Sequence, residues 1–114
     1  MDNSNSIEEG KTIAIISYIT IVGLIIAIVM NKDKNNEFAQ YHIRQSLGII
    51  LLYVVVWMVF LIISTVIYFP LLSTIIYLGL LVLWILGVIT ALQGEKKAVP
   101  LVGEHFQKWF HSVG

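Results

Sequence analysis

Apolar and polar positions in this chain fall into long blocks. A polar stretch over residues 1–11 is followed by Thr12 to Met30, 19 residues without a charge. A polar turn comes next, Asn31-Lys32-Asp33-Lys34-Asn35-Asn36. From Gln45 to Gly94, fifty consecutive residues include no Asp, Glu, Lys, Arg or His. As a single helix that run would extend ~75 Å, against a hydrocarbon core of ~30 Å. Pro70 divides it, because proline lacks a backbone donor and disfavours a helical residue before it. The pattern predicts an all-α integral membrane protein with three transmembrane helices, at about 12–30, 46–69 and 71–92. An uncharged hairpin, Phe69-Pro70-Leu71-Leu72-Ser73, joins the last two. Barrel strands of about 10 residues would alternate polar lumen-facing positions, which these segments lack. In lipid only helices and closed barrels satisfy the backbone, so helices remain.

The last block has a different period. Val102, Phe106, Trp109, Phe110 and Val113 recur at helical spacing, with Glu104, Gln107, Lys108 and His111 between them. This predicts an amphipathic interfacial helix over about 100–113 within a tail formed by residues 93–114. The whole chain, 1–114, is expected to form one membrane domain.

Composition agrees. Mean hydropathy is +0.87 and charged residues are 12%, about half the share in an ordinary soluble domain. A soluble globule of this length could not bury so much apolar surface. The formal net charge is zero, so no basic field points to nucleic acid. With no cysteine, thiol chemistry and thiolate metal sites are excluded. The positions of the charges are more telling. Lys32 and Lys34, then Arg44, follow the first apolar block, and Lys96, Lys97 and Lys108 follow the last. By the positive-inside rule these segments lie on the inner face of a bacterial cytoplasmic membrane. Three crossings then place the N-terminus outside and the C-terminus inside.

Two constellations are candidates for function. Taking Ser46 as zero on a helical wheel, His42, Tyr53, Trp57, Ser64 and Tyr68 fall within an arc of roughly 80°. Such a stripe faces neighbouring helices or a second copy through interhelical hydrogen bonds, or else it lines a polar path. Thr65 lies off the stripe and is free to bond its own helix backbone. The second is the helix entry from Glu37 to Leu47, with His42, Arg44, Gln45 and Ser46. It reads either as a headgroup anchor with a snorkelling arginine or as a docking surface for another protein. Lys32, Lys34, Lys96, Lys97, Lys108 and Trp109 are candidate lipid-headgroup contacts. Gly23 with Ala27, and Gly87 with Ala91, are small-residue pairs that let helices approach closely. His42, His105 and His111 are poorly spaced for one metal site and have no carboxylate cluster beside them. No cofactor is expected, and no nucleophile and base stand together, so the expectation is of a protein that is not an enzyme.

Phe38-Ala39-Gln40-Tyr41-His42-Ile43-Arg44-Gln45-Ser46-Leu47, together with Gly94-Glu95 and Pro100-Leu101-Val102-Gly103, resembles the signature of small bacterial membrane proteins of the Tic-twenty-like import component family. The resemblance runs roughly from Lys11 to Phe110, and His42, Arg44, Gln45, Pro100 and Gly103 match its recurrent positions. The favoured expectation is a small accessory or scaffold subunit of a larger membrane assembly, and the resemblance implies protein translocation or insertion as its context. The expected partners are the bilayer and other membrane subunits or copies of the chain. The competing class is a homo-oligomeric channel or small-solute transporter, since three helices are too few to enclose a path alone.

Overall fold

The computed structural model describes residues 3–114, with side chains from residue 7 onward. Asp2, in the polar opening, lies outside the described residues. There are five helices among the described residues and no strand: α1 (Asn3–Ile19), α2 (Ile21–Lys34), α3 (Glu37–Ile63), α4 (Pro70–Leu92) and α5 (Gly103–Trp109). The molecule is a rod with extents of 56 × 23 × 22 Å.

Two helices, α3 and α4, are long and apolar enough to cross a membrane. They span 27 and 23 residues. The interior of a soluble protein would bury such helices, yet only 17% and 22% of their most apolar windows are buried. Their surface is built for lipid. The first crossing expected from the sequence, at 12–30, does not exist as one helix. It divides at Thr20, whose extended backbone (φ −160°, ψ −179°) ends α1 and caps α2, with Oγ1 accepting from the Gly23 N–H at 3.2 Å. The local cause is a β-branched run, Ile19-Thr20-Ile21-Val22, followed by glycine. Branching at Cβ lowers helix propensity, and threonine is a favoured N-cap. Gly23 allows α2 to fold back, since a Cβ there would lie 2.3 Å from the Ile16 carbonyl oxygen.

A helix broken at membrane depth orphans its last carbonyls. Neighbouring helices satisfy two of them here. Ser46 Oγ donates to the Ser17 carbonyl, and Trp84 Nε1 donates to the Tyr18 carbonyl at 2.7 Å. This is how non-helical backbone is tolerated inside a bilayer.

The α1–α2 hairpin returns to the end from which it set out. Gly10 lies against Asn36, and Ile7 against Gly94. The N-terminal segment, the 31–36 turn and the C-terminal tail therefore share one end of the rod. The opposed ends expected from three crossings are not seen, since both ends of the described chain lie at one end of the rod.

The remaining boundaries also shift. The second crossing is α3, ending at Ile63 instead of reaching residue 69. Ser64 and Thr65 hydroxyls donate to the Leu61 and Ile62 carbonyls, satisfying the last turn. Pro70 is the first residue of α4, where its missing N–H costs nothing. The amphipathic helix is shorter than expected. It starts at Gly103, not Pro100, and spans seven residues. It packs inward: Phe106 is buried against α3, over Gly48, where a Cβ would lie 2.1 Å from the ring.

Candidate functional site

The buried polar side chains converge at the charged end, around the first turns of α3. His42, Gln45 and Ser46 are all buried there, as are Ser17, Asn31 and Tyr18.

His42 and Gln45 belong to one connected hydrogen-bond chain. The Val99 N–H donates to Gln45 Oε1 at 2.9 Å, and Gln45 Nε2 donates to the Tyr18 hydroxyl at 2.9 Å. The Tyr18 hydroxyl and His42 Nδ1 are 2.7 Å apart, and His42 Nε2 lies 2.7 Å from the Glu95 carbonyl. A carbonyl only accepts, so Nε2 carries the ring proton. Nδ1 then accepts from the Tyr18 hydroxyl, which has one proton to give. Every member has a defined donor or acceptor role, and no buried side-chain polar atom among the described residues lacks a partner. Phe38, Tyr41 and Tyr18 surround the imidazole edge-on at centroid distances of 4.8, 5.5 and 5.6 Å.

The Glu95 carbonyl reaches His42 because of how α4 ends. Gly94 is left-handed (φ 75°), the Glu95 N–H bonds the Thr90 carbonyl at 2.9 Å, and the Gly94 N–H bonds that of Ala91 at 3.2 Å. This is a Schellman close, which favours glycine at the left-handed position. It turns the backbone across the mouth of α3. Gly87 and Ala91 form the face of α4 that meets α1, with a Cβ at Gly87 lying 2.8 Å from the Tyr18 ring.

A second cluster ties the 31–36 turn to the tail. Asn31 Nδ2 donates to the Asn36 and Gly114 carbonyls at 3.2 and 3.1 Å, and its Oδ1 accepts from the Asn36 N–H at 3.0 Å. Arg44 donates to the Val113 and His111 carbonyls at 3.0 and 2.6 Å. Arg44 thus holds the tail. Glu37 pairs with Lys96 at 3.6 Å across an exposed contact.

The stripe proposed from helical spacing divides in two. His42 and Ser46 face α1. Tyr53 and Trp57 lie farther along α3 and are half exposed, at 49% and 51%. Tyr53 packs beside Tyr77 of α4, with centroids 5.5 Å apart. Ser64 caps α3 in helical geometry and Tyr68 lies in the exposed turn beyond it, and both line a surface pocket with Trp57 and Tyr77. The Trp57 indole N–H has no partner among the described residues. Lys32, Lys34, Lys96, Lys97, Lys108 and Trp109 are all exposed around the charged end. Among the described residues, no group of three His, Asp, Glu or Cys comes together to hold a metal ion.

Sequence reasoning missed Tyr18, Ser17, Asn31 and the backbone of Glu95 and Val99. A tyrosine and a serine side by side within the first apolar block, and an asparagine at its end, were the available signal.

The family model of the magnetosome magnetite crystal formation proteins, MamF/MmsF, matches residues 9–106. The chain belongs to the MamF/MmsF family. The match takes in most of α1, all of α2 to α4 and the start of α5, including the complete His42–Gln45–Tyr18 cluster. It overturns the resemblance to Tic-twenty-like import components, since the segments that carried it, 38–47 and 94–103, lie inside the MamF/MmsF match. The translocation context rested on that resemblance and falls with it. No curated protein and no solved structure matches the chain.

Proposed function

We propose that this MamF/MmsF family member is a non-enzymatic membrane subunit that takes part in magnetite crystal formation by packing into the assembly of a crystal-bearing membrane. The observation that carries this reading is the contrast between its polar groups. The buried ones at the charged end are engaged by the protein's own chain, whereas Trp57 presents an unpaired N–H on an apolar, membrane-depth face of α3. A tryptophan in that setting favours a hydrogen-bonding neighbour, and a helix from another subunit or a second copy supplies one.

The charge pattern supports an orientation. All seven Lys and Arg residues lie outside the charge-free run, at the end that carries both the N-terminal segment and the tail. The positive-inside rule makes that end cytoplasmic and places the 64–69 hairpin on the far side.

Co-purification in mild detergent tests the reading. A stoichiometric membrane partner, or a defined oligomer, is expected with the native chain and lost with Trp57→Leu. A monomer free of partners in both cases would overturn it. In a magnetite-forming cell lacking its own family member, expression of this chain should alter crystal size, measured by electron microscopy. For topology, a cysteine replacing Val66 should be labelled by an impermeant reagent from outside the cell, and one replacing Glu9 only after lysis.

A further inference from the structure

We propose that the molecule is a membrane wedge, which concentrates in and stabilises bilayers that are convex toward its charged end. This rests on the reading that α3 and α4 cross the bilayer.

The inference follows from how many helices occupy each depth. From Lys11 to Thr20, α1 advances about 14 Å, roughly half of a hydrocarbon core. Beginning at Ile21, α2 retraces the same depth. The tip at Thr20 therefore stops near the bilayer midplane. Its level is marked by the Tyr18 contacts with Trp84 and Gly87 on α4 and with His42 and Gln45 on α3. In the leaflet at the charged end four helices stand side by side, and α5 with its flanking tail covers them. In the other leaflet only α3 and α4 continue.

Burial records the same asymmetry. Every buried residue of α3 falls between Phe38 and Ile49. Beyond it, residues 61–72 are exposed without exception. The hairpin is not an exposed polar lobe that could sit outside the bilayer. Its outward face carries Ile21, Val22, Ile25 and Val29, exposed at 55–64%, and such a face is stable only in acyl chains. Below the tip, a groove of about 540 Å³ opens between α3 and α4, lined by Tyr53, Leu81, Trp84 and Ile50 among others. Lipid of the thinner half fills it. A body that displaces about twice as many lipids from one leaflet as from the other fits best where the first leaflet is expanded, as on the convex side of a curved bilayer. Shallow insertion is sensitive to curvature for the same reason. With the charged end cytoplasmic, the favoured shape is a membrane bulging into the cytoplasm. A partner helix on the Trp57 face would thicken the narrow half and reduce the preference.

The test uses the full-length protein, reconstituted into phosphatidylethanolamine–phosphatidylglycerol vesicles of about 30 nm and about 200 nm, where curvature sensing is distinguishable. Protein per unit membrane area should be roughly two- to threefold higher in the small vesicles. There, external trypsin should cleave most molecules at Lys96–Lys97, showing the charged end outward. Bulk added to the narrow half by Ile62→Trp with Leu71→Trp, at positions 68% and 74% exposed, should bring the density ratio toward one. Equal density and equal orientation in both vesicle sizes would overturn the wedge, as would a native ratio that the added bulk leaves unchanged. If the protein fails to float with either vesicle population, the two-crossing reading itself is wrong, and the wedge fails with it.

Discussion

The two halves of the rod use opposite strategies. In the half at the charged end, packing is dense and polar groups are matched one to one: His42, Gln45 and Tyr18 close a chain of hydrogen bonds between α1, α3 and the segment after α4. In the other half α3 and α4 meet mainly through aromatic contacts, with Tyr77 beside Tyr53 and Phe60. Their outward faces are covered by nothing from the chain itself. The first half specifies a unique structure by hydrogen bonding, because in a water-free setting each unmatched polar group is costly. The second half relies on helix length and hydrophobicity, which tolerate many sequences. Substitutions in the two halves should therefore behave differently.

The largest effect is expected from Gly48→Leu. The Phe106 ring occupies the space that even a Cβ would need, so α5 must leave α3. Overpacking of this kind costs about 3 kcal/mol, and limited trypsin digestion in detergent should show the tail released. Gln45→Leu ranks next. It removes the partners of the buried Val99 N–H and the Tyr18 hydroxyl, a loss of about 2–3 kcal/mol, measurable as a lower unfolding midpoint. His42→Leu should cost about 2 kcal/mol by orphaning the Tyr18 hydroxyl proton and the Glu95 carbonyl. In the native protein, ¹⁵N shifts should report His42 as the Nε2–H tautomer. A smaller effect, about 1 kcal/mol, is expected for Thr20→Ala, which deletes the N-cap of α2. In the other half, Tyr53→Phe and Trp57→Leu should leave the unfolding midpoint within about 0.5 kcal/mol of native, as exposed sites do. Trp57→Leu should still weaken association. A large loss of stability from Trp57→Leu would erase the distinction between the halves.

How much of this was legible in the residues depended on the kind of signal. Pro70 marks a division that any helix must respect, and the α3–α4 pair follows from it. The importance of His42 and Gln45 was visible because a histidine and a glutamine at a helix entry stand out against an apolar background. The break at Thr20 was hidden because absence of charge is common to a spanning helix and to a hairpin that turns back at midplane. Hydropathy reports solvent, not direction. The cue was local: four residues, Ile19 to Val22, of which all are β-branched, ending at a glycine. The stripe from Ser46 to Tyr68 crosses a change of surroundings that spacing alone does not show. Helical spacing relates residues only where the helix persists and its surroundings stay the same. Here α3 ends at Ile63, and its neighbours change halfway along.

The uncharged turn at residues 64–69 bears on how the protein is made. In the two-crossing arrangement proposed above, this turn and the flanking helix ends are the part that is carried across the bilayer. The hydroxyls of Ser64, Thr65, Ser73 and Thr74 are already bonded to the backbone of their own helices. No Asp, Glu, Lys, Arg or His has to be dragged through hydrocarbon, and passage of a charged side chain costs a few kcal/mol per residue at the core on insertion scales. The α3–α4 pair can enter the membrane as a single loop, and α1–α2 then needs only to fold down beside it.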